Sequence, residues 1–213
     1  MATPITIDVV SDVVCPWCYV GKKRLEAALK ARPDIAAEIR WRPFFLDPTV
    51  PREGKPRIDY IIGKFGGVEK ITAGHHRLIG IGKPAGIDFQ FDKIEVQPNS
   101  LDAHRLIGWA SAEGKADALV ESLFEDFFVN GVNLADRANL AAAAARAGMN
   151  EAKVSADLAS DKDEEIVAKQ AQAASASGIG GVPFFVFGNK IALSGAQEAE
   201  VISSAIDQAL AAA

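Results

Sequence analysis

Cys15-Pro16-Trp17-Cys18 falls between two segments of opposite character, and that placement leaves few folds open. Upstream, Ile5-Thr6-Ile7-Asp8-Val9-Val10 is β-branched and partly alternating, the pattern of a strand. Downstream, Tyr19, Leu25, Ala28 and Leu29 recur at helical spacing until Pro33 stops the pattern. Pro16 suits the first helical position, where its missing N–H costs nothing. The only two cysteines of the 213-residue chain therefore mark the point where a strand turns into a helix.

A second strand is expected at Glu38 to Leu46, where Ile39, Trp41 and Phe44/Phe45 interleave with arginines, completing a β-α-β unit. From Asp47 to Asp92 the chain is rich in Gly, Pro and Lys, with short helices expected near Ile58 to Phe65 and Val68 to Ile81. Asn99 to Ser177 reads as consecutive helices: Asn99 with Asp102 forms a cap, Asp136 precedes an alanine-rich helix, and Gly148 and Asn150 punctuate it. Strands return at Val182 to Phe187 and Lys190 to Leu193, with Gly188-Asn189 suited to a two-residue hairpin turn. A last helix, Gln197 to Leu210, follows Ser194-Gly195-Ala196-Gln197, which fits a capping box. The reading is an α/β domain built from residues 1–46 and 178–213 and interrupted by a mainly helical insertion, 47–177.

With 49% hydrophobic and 24% charged residues, the chain can bury a substantial core. Its net charge of −5 argues against a general affinity for nucleic acid or anionic lipid. The longest apolar stretches, Ala141 to Ala145 and Val182 to Phe187, are far short of the roughly 20 residues that span a bilayer. Met-Ala-Thr-Pro-Ile-Thr-Ile-Asp has neither a basic region nor an apolar core of a secretory signal, so the expected location is the cytoplasm. A structural disulfide is unusual in that compartment, and cysteines three positions apart close too short a loop to stabilise much. A redox or metal role remains. Structural zinc takes four ligands, and two cysteines with the unclustered His75, His76 and His104 are a poor set, so no metal is expected. The histidines read as surface or capping residues, and Phe124, Phe127 and Phe128 as core.

At a helix start the first thiol lies among unpaired N–H groups and at the positive end of the macrodipole, which favours the thiolate. Cys15 is accordingly the expected nucleophile, provided its sulfur can be reached. Side chains at i, i+3 have Cβ atoms about 5 to 6 Å apart, and a disulfide wants about 3.5 to 4.5 Å, so closure onto Cys18 must tighten the first turn. The expected chemistry is a mixed disulfide formed at Cys15 and resolved by Cys18.

Four ordered segments resemble one family: Ser11-Asp12-Val13-Val14-Cys15-Pro16-Trp17-Cys18-Tyr19, Gln97-Pro98-Asn99-Ser100-Leu101-Asp102-Ala103-His104-Arg105, Gly181-Val182-Pro183-Phe184-Phe185 and Ser194-Gly195-Ala196-Gln197. Over nearly its whole length the chain resembles the DsbA-type thioredoxin superfamily, in particular its cytoplasmic FrnE-like branch. The resemblance implies a thioredoxin fold with an inserted all-helical domain that partly covers the site. It implies disulfide exchange with a polypeptide or a small thiol, glutathione as a co-substrate, no bound cofactor, and leaves a homodimer open. It also implies a cis Pro183 facing the dithiol, with Val182 free to pair with an extended substrate. Asn99, Ser100 and His104 are implied at the cleft, although a helix cap explains Asn99 as well. Ser194 reads as the cap of the last helix, whose N-terminus in glutathione-binding relatives meets a carboxylate. Asp8 fits either a proton relay to Cys18 or a solvent-facing position. Trp17 either tunes the pair and contacts substrate or simply covers Cys15. Glutathione-dependent relatives, the kappa-class transferases and 2-hydroxychromene-2-carboxylate isomerases, supply the alternative function, but they typically carry serine where Cys15 stands.

Overall fold

The computed structural model describes residues 2–212. Strand β1 (Thr3–Ser11) leads into helix α1 (Pro16–Lys30) and β2 (Ile35–Pro43). There follow β3 (Lys55–Pro56), α2 (Arg57–Phe65), α3 (Val68–Gly82), β4 (Val96–Gln97), α4 (Leu101–Ala112), α5 (Ala116–Glu125), α6 (Arg137–Arg146), α7 (Glu151–Ala159) and α8 (Glu164–Ala176). The chain closes with β5 (Phe184–Phe187), β6 (Ile191–Ser194) and α9 (Ala199–Ala211). Four strands form one sheet in the order β2-β1-β5-β6. β1 runs parallel to β2 and antiparallel to β5, which pairs antiparallel with β6. The expected order of strand, helix, strand, helices, hairpin and helix is the one adopted.

The β-branched run explains why β1 is central: Ile5, Ile7 and Val9 are all buried, and both edges of the strand are paired. Leu25 and Ala28 of α1 are buried with Cys18, and α1 packs along α9. Tyr19 turns instead to the helical segment, stacking on Phe124 at 5.0 Å and meeting the edge of Phe89 at 6.1 Å. Phe124, Phe127 and Phe128 are wholly buried there, as the sequence indicates. One hydrophobic cluster thus joins sheet, α1, α9 and most of the helices, while Val50, Tyr60 and Ile61 make a smaller one.

Four local expectations need correction. β2 begins at Ile35 and ends at Pro43, because parallel pairing with β1 from Thr3 to Ser11 sets its length. The segment between β2 and β5 is not all helical, since β3 and β4 form a two-residue ladder. Gly188 and Asn189 both have positive φ, as a primed hairpin turn requires, but Phe187 pairs with Ile191, which makes the loop three residues long. Ser194 is not a helix cap: it ends β6, and α9 begins only at Ala199 behind Glu198. The Gln197 side chain reaches back to the Ser194 carbonyl (2.8 Å), so the two residues stabilise a turn.

Arg105, fully buried in α4, holds the loop between α7 and α8. Its guanidinium donates to the carbonyls of Asp157 (3.0 Å), Ser160 (2.8 Å) and Lys162 (2.6 Å) and to the Asp102 carboxylate (2.6 Å). The Ser160 and Lys162 carbonyls lie just past the end of α7, where no helical amide follows to bind them. Arg105→Ala removes these four hydrogen bonds at once and leaves a cavity in place of a fully buried side chain, although Arg52 and Arg137 still pair with Asp102, and a loss of about 3 to 5 kcal/mol is expected in urea unfolding.

Candidate active site

The strand-to-helix junction places Cys15 as the N-cap of α1, with extended backbone, and Pro16 as the first helical residue. The Cys15 carbonyl accepts from the amides of Cys18 (3.0 Å) and Tyr19 (3.4 Å), so the first turn is formed around the motif. Both cysteines are free thiols. The Cys15 thiol donates to the Val182 carbonyl at 3.5 Å, and the Val182–Pro183 bond is cis. Pro183 packs on Gly21 of α1, where an added Cβ would lie 2.8 Å from the proline ring. The absence of a side chain at Gly21 therefore lets the β5 turn close over the dithiol.

Cys15 is only 3% exposed, less open than the sequence reading requires. The reason is the turn over it, since Val182 turns its carbonyl onto the sulfur. Val182 itself is half-buried and Gly180 beside it exposed, so the sulfur lies beneath a surface segment. Cys18 is deeper. Burial pushes its thiol well above the usual cysteine range, and the hydrogen bond and charge of Cys15 add to this. The Ser11 side chain and the Asp12 backbone work in the opposite direction.

Asp8 accepts from Arg42 at 2.6 Å, and the polar groups at Cys18 come from Ser11 and Asp12 instead. Trp17 is half-buried beneath the Arg77 guanidinium, 5.5 Å from its ring. Asn99 sits just before α4. Its side chain accepts from Leu101 N (2.9 Å) and donates to the Val50 carbonyl (2.6 Å), and it lines a cavity of about 480 Å³ with Phe45, Asp47, Ser100 and Gln172. Ser194 lies opposite Phe184, next to Pro183 in the hairpin.

Asp12 as a side chain escaped the sequence reading, and so did its pairing with His104, a residue that the resemblance implies at the cleft. Asp12 is 1% exposed and accepts from Val14 N (3.3 Å) and Leu46 N (2.8 Å), tying the loop before Cys15 to the segment that follows β2. His104 is buried, not a surface residue: α4 carries it inward, with Nε2 3.6 Å from Asp12 and its ring against Phe45. The available signal was Asp12 three residues before the first cysteine. Lys22, one helical turn past Cys18, is likewise buried and pairs with Glu26 and with Glu121 (2.7 Å) of α5, which also accepts from the Tyr19 hydroxyl (3.0 Å). Among the described residues, no three of His, Cys, Asp and Glu gather as a metal site, and no helix is long and apolar enough to cross a membrane.

Two outcomes follow from this geometry. A thiol whose folded pKa is raised remains protonated after the unfolded chain has ionised. The reduced protein should therefore lose stability as pH rises above about 9, by up to about 1.4 kcal/mol per pH unit. Unfolding under reducing conditions from pH 8 to 10 measures it, and Cys18→Ala should flatten the slope. Gly21→Ala should displace Pro183 and lower stability by about 1 to 3 kcal/mol, with a change in Cys15 alkylation rate although neither thiol is altered.

Comparison with known proteins places this arrangement. The DSBA-like thioredoxin domain family matches residues 6–207. The crystal structure of a probable DsbA oxidoreductase from Streptomyces coelicolor is 32% identical, with 97% of this chain and 90% of that one covered and a TM-score of 0.89. The uncharacterised protein YwbO of Bacillus subtilis is 26% identical over 95% of this chain and 96% of its own. A 2-hydroxychromene-2-carboxylate isomerase shares the fold at 20% identity, with 95% of each chain covered and a TM-score of 0.71.

Proposed function

Because the chain belongs to the DSBA-like thioredoxin domain family, we propose that it is a thiol–disulfide oxidoreductase working through Cys15 and Cys18. The observation that carries this reading is the pairing of the Cys15 thiol, at the start of α1, with the carbonyl of Val182, beside a second buried thiol one turn on.

As a reductase, Cys15 attacks a substrate disulfide as the thiolate. The substrate S–S bond breaks, a Cys15 mixed disulfide forms, and the departing thiolate takes up a proton. Cys18 then gives up its proton and attacks the Cys15 sulfur, which releases the second substrate thiol and leaves Cys15 and Cys18 joined. Two equivalents of a small thiol such as glutathione return the pair to the dithiol. Run backwards, the same steps oxidise a substrate dithiol. Val182 has to leave the Cys15 sulfur before either direction begins, and an extended substrate strand is the natural replacement. Trp17 supplies an apolar rim, and Asn99 and Ser100 border a cavity that they share with Phe45 and Gln172.

The substrate in this reading is a disulfide- or thiol-bearing polypeptide or small thiol in the cytoplasm. A couple poised between about −220 and −320 mV, like cytosolic glutathione, assigns the reductive direction, and one near −120 mV the oxidative one. Cys15→Ser should lower disulfide turnover at least about 1,000-fold, while Cys18→Ser should accumulate a Cys15 mixed disulfide visible by intact-mass measurement. Undiminished turnover in Cys15→Ser rules the reading out in favour of a glutathione-dependent isomerase or transferase.

A further inference from the structure

The turn from β1 into α1 is organised around Asp12. Its carbonyl accepts from Cys15 N (3.0 Å), its backbone faces the Cys18 sulfur, and its carboxylate takes the amides of Val14 and Leu46. The residue that meets both cysteines through its backbone thus carries a carboxylate that is 1% exposed. Two neutral amides satisfy its lone pairs without supplying a counter-charge, which a buried carboxylate needs when a second negative charge forms beside it.

The counter-charge within reach comes from the helical segment. His104 of α4 is 6% exposed, and its Nε2 is buried without a hydrogen-bond partner, 3.6 Å from the Asp12 carboxylate. Two acceptors at that distance do not bond, whereas a proton on Nε2 turns the same contact into a charge-assisted hydrogen bond. Among the described residues, Asp12 is the only carboxylate paired with this imidazole. The other charges nearby are engaged elsewhere. On α4 itself Arg105 binds Asp102, Arg42 of β2 binds Asp8, and Asp47 beyond it bonds Thr49. Lys22 of α1 pairs with Glu121 of α5, Arg146 of α6 with Asp126, Asp157 of α7 with Lys162, and Glu164 of α8 with Arg52. Cys15 and Cys18 are therefore the titratable groups that share Asp12 with His104.

We propose that His104 is a positioning residue for the exchange reaction, closing on Asp12 as an imidazolium when a thiolate forms at Cys15 or Cys18. The proposal rests on the oxidoreductase reading and deepens it. A thiolate beside an uncompensated carboxylate is repelled, and a proton held at Nε2 cancels the carboxylate charge. No bond to sulfur changes at His104: the thiol proton leaves to solvent, the imidazole takes one up, and it releases that proton once the two sulfurs are joined. The sheet and α1 supply the thiols, and the inserted helices supply the charge that eases their ionisation. The effect is present while the imidazole is protonated and vanishes in alkali, where it is neutral.

Single-turnover reduction of hydroxyethyl disulfide, an uncharged substrate, by the dithiol form of the full chain tests it. His104→Gln should slow the reaction at least about tenfold at about pH 6 and less than about twofold at about pH 9. In an Asp12→Asn background the same substitution should add nothing to the effect of Asp12→Asn alone, because no carboxylate charge remains to be met. Nitrogen-15 NMR of the unaltered protein should show a larger protonated fraction of the His104 ring in the dithiol than in the disulfide form at about pH 7. A loss in His104→Gln that is equal at both pH values assigns the residue to packing and overturns the proposal, as does no loss at all. Where a variant does not fold, the unaltered protein decides: identical protonation of the ring in the two redox forms overturns the proposal. Failure of the unaltered dithiol to reduce hydroxyethyl disulfide at either pH overturns the oxidoreductase reading itself.

Discussion

The contact between the Cys15 thiol and the Val182 carbonyl joins residues 167 positions apart, and the architecture is arranged to make it. β1 delivers Cys15 to the end of the sheet, and β5, antiparallel on its flank, brings Pro183 back to the same end. Gly21 keeps α1 low enough for that return. A single 3.5 Å hydrogen bond from a thiol is weak, so the geometry is imposed by strand pairing and by packing of α1 on α9, not by the hydrogen bond itself.

Local signals carried far in the sequence. A β-branched run before a proline-started helix places both cysteines at the junction, and Gly188-Asn189 places the hairpin, because each depends on backbone preferences of adjacent residues. Asp136 and Asn150 cap their helices by accepting from Ala138 and Lys153, a short-range interaction legible from residue type. The same logic misled at Ser194: its pattern with Gln197 fits a capping box, but pairing with Phe184 holds it in a strand.

What stayed hidden was set at long range. Asp12 acquires its role only when Leu46, just past β2, and His104, on α4, arrive beside it, and His104 looks like a surface residue until α4 turns it toward the sheet. Lys22 and Arg105 are charges that sequence patterning assigns to solvent. Both are buried, because carboxylates of other helices and the carbonyl ends of α7 supply the partners that burial demands. The covering of Cys15 belongs to the same class, since it comes from a turn that the helix start cannot foresee.

Tyr19 gives the fold a property that neither thiol has by itself. It follows Cys18 directly, stacks on Phe124 and shares Glu121 with Lys22, so the first turn of α1 is clamped to α5. Linking the two sulfurs has to draw that turn tighter, and close-packed interiors pass such movements on instead of absorbing them. The first turn of α1 is therefore not free to change shape alone, because Tyr19 and Lys22 hold it to Phe124 and Glu121 of α5.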